Sequence, residues 1–392
     1  MALVRWRDKH IAAPEASLRD ARFIRSADAA GEVGCQIGCM AAPAATADLP
    51  ARSLDYAIVK RRIREAGLLE KQPWFYARSI CAKLLLLIAC LSGFVLLQNH
   101  WLQAANAVAL AIISGQLGFQ LHDAGHRQMF ATRWKNVAVG LLTGNLLLGM
   151  SYGWWVEKHN RHHANPNHVD MDPDVNMVAI AYSPGQALER RGPLRLMARY
   201  QAFLFFPLLL LLAWSMHAAS LAFLLQRGSR YRRRELALLG AHALLYVGLF
   251  VWLLGPWAAL MVIVIHQCCG GFYLALVFAP NHKGMPQVDD ASDIDFLRRQ
   301  VLTSRNVRSH PLTDLWYGAL NYQIEHHLFP TIARNRVREA HVIVREFCGE
   351  RGIPYHEVSI LQSYRELLAF LHQVGAQLRT RAGTARVSTE HR

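Results

Sequence analysis

Long apolar blocks, separated by polar and basic connections, are the main pattern along this chain. Four blocks are long enough to cross a hydrocarbon core of ~30 Å as helices, because an α-helix rises ~1.5 Å per residue. They cover about 80–97, 101–121, 236–254 and 257–279. The pattern therefore predicts four membrane-spanning helices, arranged as two closely connected pairs.

The connections between these blocks predict their orientation. The short connections within the pairs, "QNH" and "GP", contain no Lys or Arg, whereas the long connections are rich in both. Because basic loops stay on the cytoplasmic side of a membrane, all long segments are expected there. Two further apolar runs, 136–155 and 200–225, then cannot cross, and we expect them to be interfacial or re-entrant.

The remaining segments complete an all-α integral membrane protein with a cytosolic helical cap. Residues 1–50 are rich in small residues and predict a disordered extension, without a cleaved export signal because charges lie close to the start. The membrane domain is expected over 51–353, followed by a C-terminal helix and a disordered basic tail over 354–392. The basic stretch 54–71 predicts either an amphipathic helix on the membrane surface or an ordinary surface helix.

Composition supports a membrane protein and narrows its partners. Of the 392 residues, 53% are hydrophobic and 18% are charged, and the formal net charge is +15. The basic residues adjoin the apolar blocks, so membrane lipids with anionic headgroups are the expected partner, and nucleic acid is not. The seven cysteines show no paired framework. We therefore expect a multi-pass protein of the inner (plasma) membrane.

Three short clusters of histidines are the candidate chemistry. The first, in "HDAGH", has the spacing i, i+4, and the other two, in "HNRHH" and "QIEHH", have the spacing i, i+3, i+4. On a helix, these spacings place the side chains within an arc of roughly 100°. The cluster members are His122, His126, His159, His162, His163, Gln323, His326 and His327. Because imidazole is a common ligand of Zn, Cu and Fe, so many histidines predict two metal ions on the cytoplasmic side.

Residues near the clusters are expected to support the metal site. His282 directly follows the fourth block and is predicted to be a further ligand, and Asn281 could hold a bound water. A ligating histidine usually donates its other ring N–H to an oxygen acceptor, so nearby carboxylates are candidates for that role. These carboxylates belong to Asp123, Glu157, Asp170, Asp172, Asp174 and Glu325. No catalytic side chain is expected beyond the metal centre.

The other histidines are assigned differently. His266 lies 16 residues before His282 in the same block, roughly 24 Å away along a helix, and cannot reach that site. We interpret it, with His217 and His242, as a polar contact between helices. Solvent-facing or structural roles are expected for His168, His310 and His341.

The motifs "HDAGH", "HNRHH" and "QIEHHLFP", in this order and between paired spans, resemble the three histidine boxes of the integral-membrane fatty acid desaturases over roughly 54–353. The third box is similar to that of acyl-lipid and acyl-CoA desaturases whose box begins with Gln. The resemblance implies two Fe ions held by the seven box histidines, with His282 as an extra ligand. Gln323 stands where many relatives have His.

The same resemblance implies an O2-dependent insertion of a double bond into a fatty acyl chain carried on CoA or lipid. Relatives with a fused cytochrome b5 domain carry a His-Pro-Gly-Gly haem motif, which this sequence lacks. We therefore expect electrons from a separate ferredoxin or flavoprotein reductase fed by NAD(P)H. Candidates for binding a polar headgroup are Trp154, Trp155, Lys158 and Arg161, which lie beside the second box.

Other functions stay open at this point. A related membrane di-iron hydroxylase or ketolase would use similar boxes, and only "QIEHHLFP" favours desaturation. A metal transporter would need ionisable residues within the spans, whereas the clusters lie outside them. A haem-binding electron carrier would need paired histidines within spans, for which His242 and His266 are the candidates.

Overall fold

The computed structural model describes residues 49–226 and 229–380 and is mostly helical. Almost all of the predicted N-terminal extension, and the tail from residue 381, lie outside the described residues. The elements are α1 (Leu49–Glu65), α2 (Pro73–Leu96), α3 (His100–Gly125), α4 (Arg133–Leu141), a π-helix (Leu142–Leu147), α5 (Tyr152–Ala164), α6 (Pro184–Glu189), α7 (Gly192–Arg199), α8 (Gln201–Leu209), α9 (Leu212–Gln226), α10 (Arg232–His282), α11 (Phe296–Leu302), β1 (Asn306–Val307), α12 (Pro311–Tyr317), α13 (Gln323–Leu328), a 3₁₀ turn (Arg334–Arg336), α14 (Val337–Glu350), β2 (Glu357–Val358) and α15 (Ile360–Val374).

Three of the described helices, α2, α3 and α10, are long and apolar enough to cross a membrane. The longest, α10, is interrupted at Gly255, where φ is 74° and ψ is 165°. Glycine adopts positive φ readily, and the following Pro256 has no N–H to continue the helix, so this sequence explains the break. Trp252 and Trp257 flank it and are 80% and 83% exposed. Tryptophan at such a position is typical of a membrane–water interface.

Two bent helix pairs account for the apolar runs that were predicted not to cross. In the first, residues 133–147 and 152–164 meet at 114°, and in the second, residues 201–209 and 212–226 meet at 71°. Pro207 lies near the second bend. If each pair is counted as one broken span, the number of candidate spans rises to five, and a re-entrant path is the alternative.

The structure adds one small pair of strands to the predicted all-α fold. β1 and β2 form a two-stranded parallel sheet, in which Asn306 pairs with Glu357 and Val307 with Val358. Strands of two residues have no sequence period to reveal them. The pairing joins the segment after residue 353 to the helical body. α15 continues this connection, because Gln201 on α8 donates to the carbonyl oxygen of Leu371 at 3.1 Å.

The cap is a helical cluster around α13. α1, α11, α13 and α14 share one apolar core, and Val59 and Ile63 of α1 are completely buried in it. An ion pair between Arg62 and Glu350, with 2.7 Å between Nη2 and Oε2, joins α1 to the end of α14. α1 thus buries its apolar face in protein, as an ordinary surface helix does. The result is a packed support behind the third histidine cluster.

Candidate metal centre

Four helices deliver the predicted ligands to one place. His122 lies in the last turn of α3, and His126 follows that helix as its C-cap. The second cluster is on α5, where the Ser151 side chain caps the helix by accepting from the Trp154 N–H. His282 is the last residue of α10, and the third cluster makes up most of the short α13. The histidines therefore project from helix ends rather than from the middle of a span.

One group of ligand atoms comes from all three histidine clusters. Its members are His122, His126, His159 and His326, whose candidate ligand atoms lie within 4.8 Å of one another. The Nε2 atoms of His122 and His326 are 3.1 Å apart, although 204 residues separate them in the chain. This group joins the end of α3 to α5 and α13.

A second group consists of His162, His282 and His327, again with candidate ligand atoms within 4.8 Å. The Nε2 atoms of His162 and His282 are 3.2 Å apart. The side-chain nitrogen of Gln323 lies 2.9 Å from Nε2 of His282. Asn281 donates to the oxygen of the same amide at 3.0 Å, so that oxygen is directed away from His282.

His163 lies between the two groups. Its ring stacks on His327 with 4.2 Å between centroids, and it is 4.6 Å from the ring of His126. Its Nε2 atom is 3.0 Å from Nε2 of His159. The two groups are therefore contiguous, and together they have the arrangement expected of a site for two adjacent ions.

Two of the predicted carboxylates contact histidines that are candidate ligands. Asp123 lies 3.0 Å from Nδ1 of His122, and Asp172 lies 3.0 Å from Nδ1 of His162. Both carboxylates are buried. A carboxylate that accepts from Nδ1–H leaves Nε2 as the free nitrogen, which is the atom directed into the site in both cases.

Two further acceptors were not predicted from the sequence. Nδ1 of His327 lies 2.9 Å from the side-chain oxygen of Gln300, whose nitrogen donates to the carbonyl oxygen of His163. Nδ1 of His282 lies 3.0 Å from the carbonyl oxygen of Thr303. Both acceptors come from α11 and its C-cap. That helix contains no histidine, so no spacing in the sequence indicated it.

Two other predicted carboxylates do not contact the rings. Glu325 is fully buried, but it accepts from Asn306 and Tyr355, at 2.8 Å and 2.7 Å. Glu157 is exposed and makes no hydrogen bond or ion pair with any other residue that the structure describes. Its place on α5 explains this, because a residue two positions before His159 is about 200° away around the helix.

Asp174, which was a candidate because it lies near the second cluster in the sequence, directly approaches His162. Its carboxylate is 3.6 Å from Nδ1 of His162 and forms an ion pair with Lys158. Burial raises the pKa of Asp174, but Lys158 and His162 outweigh burial and hold that pKa well below its usual value. Lys158, a predicted headgroup ligand, is therefore engaged with a carboxylate at the rim of the metal site. Asp170, by contrast, is exposed.

Of the other headgroup candidates, Trp155 belongs to the metal site itself. Its indole stacks on His159 with 4.4 Å between centroids and lies edge-on to His122 at 5.4 Å. An added Cβ at Gly125 would lie 2.3 Å from this indole, so the close approach requires glycine there. Trp154 instead packs in an apolar cluster with Leu121, and Arg161 is exposed.

Four imidazoles of the site favour the neutral form. Burial, reinforced by repulsion from neighbouring histidines, lowers the pKa of four rings well below the usual value. These rings belong to His159, His163, His326 and His327. Neutral imidazole is the form that binds a metal ion.

The geometry fits transition-metal ions. Nε2 atoms of His126 and His327 are buried and have no hydrogen-bond partner among the described residues. Two imidazole nitrogens that bind one ion at ~2.1 Å, about 90° apart, would be ~3 Å from each other. The closest Nε2–Nε2 distances between ligand rings are 3.0 to 3.2 Å. A donor set dominated by imidazole suits Fe, Zn or Cu and does not suit Mg or Ca.

Comparison with known proteins identifies related sequences. Residues 99–359 match the family model described as fatty acid desaturase. An acyl-lipid (9-3)-desaturase from Physcomitrium patens is 34% identical over 283 residues, which cover 69% of this chain and 53% of that protein. The chain thus spans about half the length of the moss relative.

One animal protein and one plant protein are matched over a larger share of their length. The Delta(5) fatty acid desaturase fat-4 of Caenorhabditis elegans is 31% identical over 314 residues, covering 76% of this chain and 68% of the relative. A Delta(8)-fatty-acid desaturase of Helianthus annuus is 28% identical over 341 residues, covering 83% and 74%. The matched residues 99–359 include every histidine of the candidate metal centre.

Proposed function

The chain belongs to the fatty acid desaturase family, a family of oxidoreductases, and from that premise we propose that it is a membrane-bound desaturase with two Fe ions. Its reaction would be the O2-dependent insertion of a double bond into a fatty acyl chain. The observation that carries the proposal is the convergence of three histidine clusters and His282 in two contiguous groups of buried nitrogens.

In this proposal, the histidines hold the ions and their acceptors fix the rings. His122, His126, His159 and His326 would bind one ion, and His162, His282 and His327 the other, with His163 between them. When bound, the two Fe ions would supply the oxidising power, drawn from O2 and electrons, that removal of hydrogen from an unactivated methylene requires.

The surrounding residues would hold the histidine rings in place and exclude water. Asp123, Asp172 and Gln300 keep Nδ1 of their histidines engaged, so Nε2 stays directed into the site. Trp155 covers the rings of the first group with an apolar surface. A site closed in this way protects a reactive oxidant from water.

We also propose a topology for this enzyme. α2, α3 and the two parts of α10 would cross the membrane, and the bent pairs would be re-entrant or interfacial. The basic connections favour a cytoplasmic metal centre. The acyl chain would be carried on CoA or a membrane lipid, and the similarity to the acyl-lipid desaturase of the moss favours a lipid. Electrons would come from a separate ferredoxin or flavoprotein reductase. An acidic surface on that donor would be attracted to the basic connections on the cytoplasmic side.

Lipid analysis of cells that express the chain with electron donors tests the reaction. A desaturase gives acyl products lighter by two hydrogen atoms than the substrate. Products heavier by one oxygen atom would instead identify a hydroxylase, and an unchanged lipid profile with loaded metal would overturn the proposal. Metal analysis of the purified protein adds an independent test, since the proposal requires about two Fe per chain and exchangeable zinc alone would contradict it.

A further inference from the structure

Three histidines outside the metal centre lie among the apolar helices, and two of them contact the same bend. This bend, residues 146–151, leads from the end of the π-helix to α5, which carries the second histidine cluster. Nδ1 of His217, on α9, lies 2.9 Å from the carbonyl oxygen of Gly149. Nδ1 of His242, on α10, lies 2.9 Å from the carbonyl oxygen of Leu146.

Other polar side chains bind further groups of the bend and of the first turn of α5. Ser220, on α9, accepts from the backbone N–H of Ser151 at 2.5 Å. Glu235, on α10, accepts from the Ser151 hydroxyl at 2.5 Å and from the backbone N–H of Gly153 at 3.1 Å. Glu235 and Ser220 are fully buried. We call the set of His217, Ser220, Glu235 and His242 the polar clamp.

The physical need for the polar clamp follows from the break in the helix. Where a helix bends by 114°, carbonyl and N–H groups lose their partners within the helix. Among apolar helices there is little water to bind them, so neighbouring side chains have to do so. Gly149 fits this arrangement closely, since its φ is +67° and an added Cβ would lie 2.5 Å from the His242 ring.

We infer that His217 and His242 are positioning residues for the metal centre. The bend they hold is followed directly by α5, and His159 lies only about two helical turns further on. α5 supplies a ligand to each of the two groups, so a shift of its start moves ligands of both ions. This inference rests on the proposed binding of metal by α5.

The third histidine provides a matched control. His266 contacts only side chains in this region, with Ser114 at 2.9 Å and Tyr246 at 2.5 Å, and it does not contact a backbone group of the bend. Replacing it removes a polar contact of similar depth from the same helix bundle. The bend itself keeps all its partners.

The test uses the purified full chain in detergent, freed of metal by chelation. Leucine replaces His217 or His242 in one pair of variants, and asparagine replaces it in another, since the asparagine side-chain nitrogen takes nearly the place of Nδ1. Fe²⁺ affinity is measured by competition with a chelator, and hydrogen exchange is measured for the amides of residues 150–156.

His217→Leu and His242→Leu should weaken Fe²⁺ binding by about tenfold or more, the usual loss when a group supporting a ligand is removed. They should also accelerate exchange in the bend. The Asn variants should recover most of both properties, and His266→Leu should leave both unchanged. Wild-type affinity and exchange in the Leu variants, or Asn variants as impaired as the Leu variants, would overturn the inference.

Two arrangements keep the test decisive. If the Leu variants do not fold, Ser220→Ala removes only the acceptor of the Ser151 N–H, and that amide should exchange faster; unchanged exchange would count against the polar clamp. If the wild-type chain binds no Fe²⁺, the proposed function fails, whereas the exchange measurement still tests the polar clamp without metal.

Discussion

Arg334 donates to a carboxylate oxygen of Asp123 at 2.6 Å, and the other oxygen of Asp123 lies 3.0 Å from Nδ1 of His122. The guanidinium also donates to the carbonyl oxygen of Phe119 at 2.7 Å and lies over the ring of the same residue. The segment after the third histidine cluster is thereby attached to the helix that carries the first. One side chain connects two of the three clusters.

We predict that Arg334→Leu destabilises the protein by about 3 kcal/mol, because it leaves the buried Asp123 carboxylate without its guanidinium partner. Metal affinity should fall as well, since Asp123 would no longer be held against His122. Thermal unfolding and Fe²⁺ competition, both in detergent, measure the two effects. Arg336→Leu is the control: its partner Glu339 is exposed, so its loss should cost at most about 1 kcal/mol. Equal losses in the two variants would contradict this prediction.

The ligand assignment predicts that His163→Ala or His327→Ala abolishes product formation while the protein still inserts in the membrane. Each substitution removes an imidazole from the boundary between the two groups, where the rings stack at 4.2 Å. The acyl composition of expressing cells, normalised to membrane-bound protein, is the measurement. His100→Ala, at an exposed position at the start of α3, should behave as wild type. Wild-type turnover in either ligand variant would refute the assignment.

Gln300→Leu should weaken metal binding by about tenfold, because Nδ1 of His327 loses its acceptor at 2.9 Å. The leucine also removes the donor to the carbonyl oxygen of His163, so the ring of His163, between the two groups, should loosen as well. Gln300→Glu keeps an acceptor for His327 and should bind more tightly than the Leu variant. Gln362→Leu, on the exposed side of α15, is the matched control and should keep wild-type affinity.

His341 predicts a stability that depends on pH. Burial alone would lower its pKa, but the carboxylates of Glu325 and Glu357 outweigh burial and raise it above the usual value of 6.5. A raised pKa in the folded state means that the protonated form is stabilised there. The contribution is therefore complete below about pH 6.5 and is lost as the pH rises through the folded-state pKa.

Thermal unfolding of the metal-free chain at pH 6 and pH 8 checks this prediction. The difference in stability between wild type and His341→Gln should be larger at pH 6 than at pH 8. Taking this difference cancels the titration of the histidines that both proteins share. A difference that is equal at the two pH values, or larger at pH 8, would show that His341 does not contribute in this way.

Sequence spacing was informative wherever one helix carried several ligands. The ring centroids of the i, i+4 pair His122 and His126 are 4.8 Å apart. Those of the i, i+4 pair His159 and His163 are 4.5 Å apart. The position of His282 at the end of an apolar block was enough to predict that it joins the clusters, and the structure places it beside His162. In these cases, local helix geometry and the length of a span decide where a side chain lies.

Contacts between distant segments were not predictable in this way. Gln300 contacts the candidate ligand His327, and Arg334 contacts Asp123, through tertiary packing, and no repeat or spacing in the sequence marks them. Glu157 shows the opposite error, since closeness in sequence suggested a role that the helix phase does not allow. The role of Trp155 also depended on packing, because its indole approaches His159 only where Gly125 leaves room.

The dispersal of the ligands over α3, α5, α10 and α13 sets an order of events in biosynthesis. A ribosome that has completed His122 still has the chain up to His327 to make, which at ~5–20 residues per second takes roughly 10–40 s. During that interval, the first group still lacks His326 and the second still lacks His327, so neither group is complete. Under the proposed function, loading of the complete centre would therefore follow the synthesis of His327, and a cell short of metal would accumulate inserted but inactive protein.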